Sequence, residues 1–133
     1  LGRHAEAEAL HGQCYDARRR TLGADDPHTL GSLFNWASAL ALLGRHAEAE
    51  ALFGRCHDAR RGSLGADHPR TLGTLCSWAA LLSQLGRHAE DEALHGQCYD
   101  ARRRTLGADD PHTLGSLFNW ASALALLGRH AEA

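Results

Sequence analysis

Valine, isoleucine, methionine and lysine are absent from these 133 residues, and there are only three prolines. Without the β-branched aliphatics the best strand formers are gone. The remaining Ala, Leu, Glu, Arg and Gln are strong helix formers, so an all-helical protein follows with little competition. All 14 basic residues are arginine, and the formal net charge of −2 gives no global field to draw nucleic acid or an anionic membrane. No apolar run approaches the roughly 20 residues needed to span a bilayer. No signal peptide is visible, and the missing initiator methionine marks the chain as a piece of a longer protein or a trimmed form. The setting expected is cytoplasmic.

What is present is repetition. Leu-Gly-Arg-His-Ala-Glu opens at Leu1, returns at Leu43 and Leu85, and begins again at Leu127, a period of 42 residues. The first and third copies differ only at Ala7 against Asp91, while the middle copy keeps the frame with scattered substitutions. A fixed period of this size marks a stacked-repeat protein, in which each unit buries its apolar face only against its neighbours. The chain divides into repeats 1–42, 43–84 and 85–126 and a partial fourth, 127–133, within one array covering 1–133.

Each repeat reads as two helices. Asp26 before Pro27 is a helix start, a capping carboxylate followed by a proline whose missing N–H costs nothing in the first turn. Leu30, Leu33, Trp36, Ala37, Leu40 and Leu43 then recur by threes and fours along one face of a helix A, which Gly44 ends. Helix B begins near Arg45 or His46, with Glu48 and Glu50 early and Arg60 and Arg61 late, matching the helix dipole. Its apolar face is Ala49, Leu52, Phe53, Cys56 and Ala59. So short a turn forces an antiparallel hairpin. Glycines lie inside A (Gly31, Gly73, Gly115) and inside B (Gly12, Gly54, Gly96), each costing about 0.5–1 kcal/mol relative to Ala. Their recurrence points to close helix approach; inheritance by duplication is the alternative.

Cys14, Cys56 and Cys98 share one repeat position and Cys76 stands apart. Equivalent positions in adjacent helix pairs lie roughly 18–20 Å apart, whereas a disulfide needs Cα atoms within about 7 Å. All four are therefore expected reduced, as small core residues.

Leu64 to Leu72, then Trp78-Ala79, Leu82 and Leu85-Gly86-Arg87-His88-Ala89-Glu90, resemble the 42-residue class of tetratricopeptide-like (TPR-like) repeats found in kinesin light chains and many bacterial multi-repeat proteins. Leu33, Trp36-Ala37 and Leu40 resemble the helix-A pattern of that family, and Ala49, Phe53 and Cys56 its helix-B pattern. The resemblance implies an all-α fold, a right-handed α-solenoid of stacked antiparallel helix hairpins. It also implies a non-enzymatic scaffold for protein or peptide partners, working without a cofactor.

Chemistry finds little support. His11 with Cys14, and His95 with Cys98, are two ligands each, and a zinc site needs at least three from the protein. No metal and no catalytic residue is assigned, since Cys14, His11 and Asp16 cannot share one helix face. Arg18-Arg19-Arg20 and Arg102-Arg103-Arg104 read either as a basic ridge or as helix C-terminal charges satisfying the dipole.

In stacked helix pairs the A helices line the concave side. Residues off the core stripe of A are therefore the candidate peptide-binding set: Phe34, Asn35 and Ser38; Cys76, Ser77 and Ala80; Phe118, Asn119 and Ser122. By resemblance, Asn35 and Asn119 occupy the place of an amide that grips a peptide backbone as both donor and acceptor. The alternative is that Asn35 solvates a surface and Phe34 packs on the next repeat. The unmatched ends, an initial B and a final A followed by a few residues of B, suggest a second class of function. This is a self-assembling array of copies stacked head-to-tail, with no dedicated ligand.

Overall fold

A computed structural model of the chain describes the backbone of residues 2–132 and the side chains of 2–128. Among the described residues the elements are six helices: α1 (Gly2–Leu22), α2 (Pro27–Leu42), α3 (His46–Leu64), α4 (Pro69–Gln84), α5 (His88–Leu106) and α6 (Pro111–Glu132). They form two compact units, Leu1–Ala66 and Asp67–Ala133. In the first, α1 and α3 both pack on α2; in the second, α4 and α6 both pack on α5. The expected all-α repeat fold is the one observed, with the helices B, α1, α3 and α5, longer than α2 and α4.

Helix starts follow the sequence closely. The Asp26 carboxylate accepts from the His28 amide at 2.8 Å, and Asp110 does the same for His112. In the middle repeat, where Asp gives way to His68, its Nδ1 accepts from the Arg70 amide at 3.1 Å. Helix A ends in a hydrogen-bonded reversal. Gly44 takes φ of 81°, its amide donates to the Ala41 carbonyl, and the Arg45 amide donates back to Leu40 at 3.0 Å. Gly86 and Arg87 repeat this, donating to the Ser83 and Leu82 carbonyls. Arg45 thus closes α2 and opens α3 in a single residue, which is why the turn is so tight. Helix B has no side-chain cap at its start; instead the Arg45 and Arg87 guanidinium groups pair with Glu48 and Glu90 three residues on.

Along α2 and α3 the interior is largely the stripe read from the sequence, with two differences, while Leu114, Leu117 and Leu124 of α6 stay exposed. Ala59 is only half-buried and Arg60 is buried in its place, its guanidinium 5.4 Å from the centre of the Phe34 ring, where cation–π attraction offsets burial. A polar seam also runs through the core. The Arg18 guanidinium donates to the buried Ser32 hydroxyl at 2.9 Å, and Arg102 does the same to Ser116. The first arginine of each triplet therefore reaches across to the next helix, Arg18 while still exposed and Arg102 half-buried.

Leu127 to Ala133, expected as the first residues of a further helix B, lie largely outside the described side chains. Where Gly44 and Gly86 interrupt α2 and α4, the described backbone of α6 continues through Gly128. A helix gains one hydrogen bond per added residue unless packing bends the chain away.

Trp36 and Trp120 explain the helix-B glycines. A Cβ built on Gly12 would stand 3.2 Å from the Trp36 indole, and one on Gly96 would stand 3.1 Å from Trp120. Nothing lies within 4 Å of a Cβ placed on Gly31, Gly73 or Gly115, so the helix-A glycines have no packing role. Opposite outcomes follow for the same substitution. Gly31→Ala should gain about 0.5–1 kcal/mol of stability, read by denaturant unfolding. Gly12→Ala should lose stability, because the indole must shift to admit the methyl group. Equal effects at both sites would contradict the packing.

Candidate functional site

The second unit holds a cleft of about 320 Å³. Its walls are Ala80, Ser83 and Gln84 from α4 and Phe118, Asn119, Ser122, Ala123 and Leu126 from α6, with Asp91 and His95 of α5 between them. Phe118 is 72% exposed although it is aromatic, and Asn119 beside it is also exposed. The cleft therefore carries an apolar contact and a two-way hydrogen-bonding amide side by side on its rim.

Its floor is unlike anything in the first unit. Asp91 and His95 are both buried, and His95 Nε2 lies 3.1 Å from Asp91 Oδ1. Their places in the first unit are taken by Ala49 and Phe53, which are apolar and buried. Asp91 is also the single residue that separates the third copy from the first. The contact is too poorly aligned to count as a hydrogen bond, so Asp91 Oδ1 has no hydrogen-bond partner. Burial holds the His95 imidazole below its ordinary value, with Asp91 pulling partly the other way. At neutral pH the His95 imidazole in the floor is thus neutral.

Of the nine candidate residues, Ala80, Phe118, Asn119 and Ser122 come together in this cleft. Ser77 is half-buried on α4 and does not line it. Cys76 Sγ lies 2.8 Å from Cys98 Sγ, between α4 and α5. The other three are in the first unit. Phe34 stacks edge-on against Phe53 with ring centres 5.7 Å apart, Ser38 donates to the Phe34 carbonyl at 3.1 Å, and Asn35 is exposed. Sequence reasoning noted the change from Ala7 to Asp91 but drew nothing from it. The signal was available: Asp91 and His95 are four apart on one helix, and so share a face.

Among the described residues no group of three or more His, Cys, Asp or Glu side chains is placed to hold a metal ion. None of the described helices is long and apolar enough to cross a membrane.

Models of the tetratricopeptide repeat match residues 29–90 and, separately, 1–28 with 71–112. A search of proteins with curated functions finds no match. Among solved structures, the chain is similar to nearly identical TPR-like repeats from a Podosopora anserina protein described as a kinesin light chain. The TM-score is 0.88 at 26% identity, covering 98% of this chain and 62% of that one. A point variant of that protein gives the same values. BtubC (BKLC) from P. vanneervenii matches with a TM-score of 0.87 at 14% identity, over 96% of this chain and 51% of that one, a likeness of fold alone. This chain spans less than two thirds of either structure.

The floor makes a pH-dependent prediction. Because the folded His95 pKa lies below the unfolded value near 6.5, the unfolded chain takes up this proton first as pH falls. Stability present above that value is lost below it. Asp91→Ala combined with His95→Phe installs the residues found at 49 and 53. This variant should lose less stability than the parent between about pH 7.5 and 5.5. At neutral pH it should be equal to the parent or up to about 1–4 kcal/mol more stable. Parallel melting curves of the two proteins at both pH values would contradict the assignment.

Proposed function

Because this chain belongs to the tetratricopeptide repeat family, we propose that it is a non-enzymatic protein-binding scaffold whose second-unit cleft receives an extended peptide segment. The family generally mediates protein–protein interaction. The observation that carries the finer reading is the exposed pair Phe118 and Asn119 on the rim of the cleft. An apolar side chain of the segment rests on Phe118, and the Asn119 carboxamide pairs with its backbone, donating and accepting regardless of sequence. Ala80 leaves room for the chain to pass. Phe34, Asn35, Ser38, Cys76 and Ser77 complete the proposed set as the corresponding A-helix positions. The role needs no cofactor and fits a cytoplasmic protein.

The test is affinity selection from a peptide library, followed by fluorescence anisotropy on the selected sequences. Changing Phe118 and Asn119 together to Ala should weaken binding at least about tenfold with unchanged helicity. Selected peptides that bind the double variant as tightly as the parent would overturn the reading.

A second reading has its own support. Leu114 and Leu117 on α6 are 48% and 40% exposed, whereas the matching Leu30 and Leu33, covered by α3, are 3% exposed. On α1, Leu10 is 63% exposed where Leu52 of α3 is 8%. Packing α1 of one molecule on α6 of another would reproduce the α2–α3 contact, a head-to-tail association that does not close on itself. Light scattering over a concentration series should then show growth that Leu114→Glu with Leu117→Glu abolishes. A constant monomer mass up to millimolar concentration would dismiss it.

A further inference from the structure

Cys76 is the one cysteine out of repeat register, standing where Phe34 and Phe118 stand in the neighbouring copies. Cys98 is in register with Cys14 and Cys56. Only here, therefore, do the A-helix column and the B-helix column both carry sulfur, and the fold brings the two columns into contact. The Cys76 and Cys98 sulfurs lie 2.8 Å apart with both thiols free. A disulfide bond is about 2.05 Å long, so joining them requires less than about 1 Å of movement, within reach of side-chain rotation. The other two cysteines have different neighbours. Cys14 Sγ contacts the Ser32 hydroxyl at 3.3 Å, and Cys56 Sγ lies 3.6 Å from the Leu30 carbonyl oxygen.

We propose that Cys76 and Cys98 form a reversible dithiol–disulfide modification site that staples α4 to α5. The two thiols are placed for different parts in this chemistry. Cys76 is half-buried and open to a small oxidant, while Cys98 is fully buried and shielded. Hydrogen bonding with Cys98, helped by the Arg102 guanidinium and the Ser116 hydroxyl and opposed by burial, holds Cys76 down at about 7. The same hydrogen bond and burial push Cys98 up. Cys76 is thus the thiolate that attacks, and Cys98 the protonated partner that resolves.

With hydrogen peroxide as the oxidant, the Cys76 thiolate attacks one peroxide oxygen. The O–O bond breaks, hydroxide leaves, and Cys76 becomes a sulfenic acid. The Cys98 sulfur then attacks the sulfenic sulfur, forming the S–S bond and expelling the second oxygen as hydroxide. The proton from Cys98 and one from solvent convert both hydroxides to water. Overall two thiols and one peroxide give one disulfide and two waters. The two electrons lost by sulfur reduce the peroxide. Excess small-molecule dithiol reverses the bond by exchange. Ala80 lies four residues after Cys76, and His95 three before Cys98, so the bond would lock the α4 wall of the cleft to its floor. The site itself does not depend on what the cleft binds.

The test is to expose the whole chain to equimolar hydrogen peroxide, block remaining thiols with an alkylating agent, and measure intact mass and a non-reduced peptide map. The expected result is a monomer that has lost two hydrogens and carries two alkyl groups where the reduced chain carries four, so free thiols fall from four to two. One linked pair of peptides should carry Cys76 and Cys98, the melting temperature should rise, and dithiothreitol should restore the starting state. Cys14→Ser and Cys56→Ser should leave the yield unchanged. Cys76→Ser and Cys76→Phe should abolish it; the second restores the residue found at 34 and 118. Persistence of four free thiols, cross-linked dimers, or linked peptides containing other cysteines would overturn the proposal. Because the map is read on the unmodified chain, a variant that fails to fold does not decide the matter.

Discussion

The Trp36 indole can lie against α1 only because residue 12 has no side chain. Gly12 brings the backbone of α1 to within van der Waals range of the ring, and the indole N–H then reaches the Glu8 carboxylate at 2.9 Å. Tyr15 closes the far side with its ring centre 5.7 Å from the indole. Gly96, Glu92, Tyr99 and Trp120 repeat the arrangement in the second unit, with the indole N–H donating to Glu92 at 3.1 Å. A buried indole N–H needs an acceptor, and a charged acceptor is worth more than a neutral one. The lock fixes how α1 meets α2 and how α5 meets α6. Arg45 extends it by pairing with the same Glu8 at 2.8 Å, tying the turn between α2 and α3 to α1. Once that approach is set, the leucines and alanines of the stripe have a partner surface to fill.

Much of this was legible in the residues. The caps at Asp26 and Asp110, the reversals at Gly44 and Gly86, and the leucine stripe follow from local rules that act over a few residues. The glycines show where such rules stop. Gly12 and Gly31 look alike as helix-interior glycines, and only the position of a tryptophan some 20 residues away separates a packing seat from an open surface. Arg60 was read as a dipole charge and is a buried ring contact, because the Phe34 face that covers it belongs to another helix. The cleft was legible only in part. Phe118 and Asn119 stand out by position on helix A, but Asp91 and His95 matter through their burial, which no single-helix pattern reveals.

Near-identity between copies makes the exceptions informative. Where the first unit has Phe34 against Phe53, the matching positions of the second are Cys76 and His95, so two aromatic rings give way to a thiol and an imidazole. Beside them stand Asp91, 3.1 Å from His95, and a contact of Cys76 with the Cys98 sulfur. An apolar hairpin contact is thereby exchanged for a polar one, while the tryptophan lock is the same in both units.

The most direct test of the lock is a double-mutant cycle between Trp36 and Glu8, using Trp36→Phe, Glu8→Met and the pair, followed by denaturant unfolding. If the indole N–H to carboxylate bond holds α1 on α2, the two substitutions should couple by about 1–3 kcal/mol. Additive effects, with coupling near zero, would contradict it.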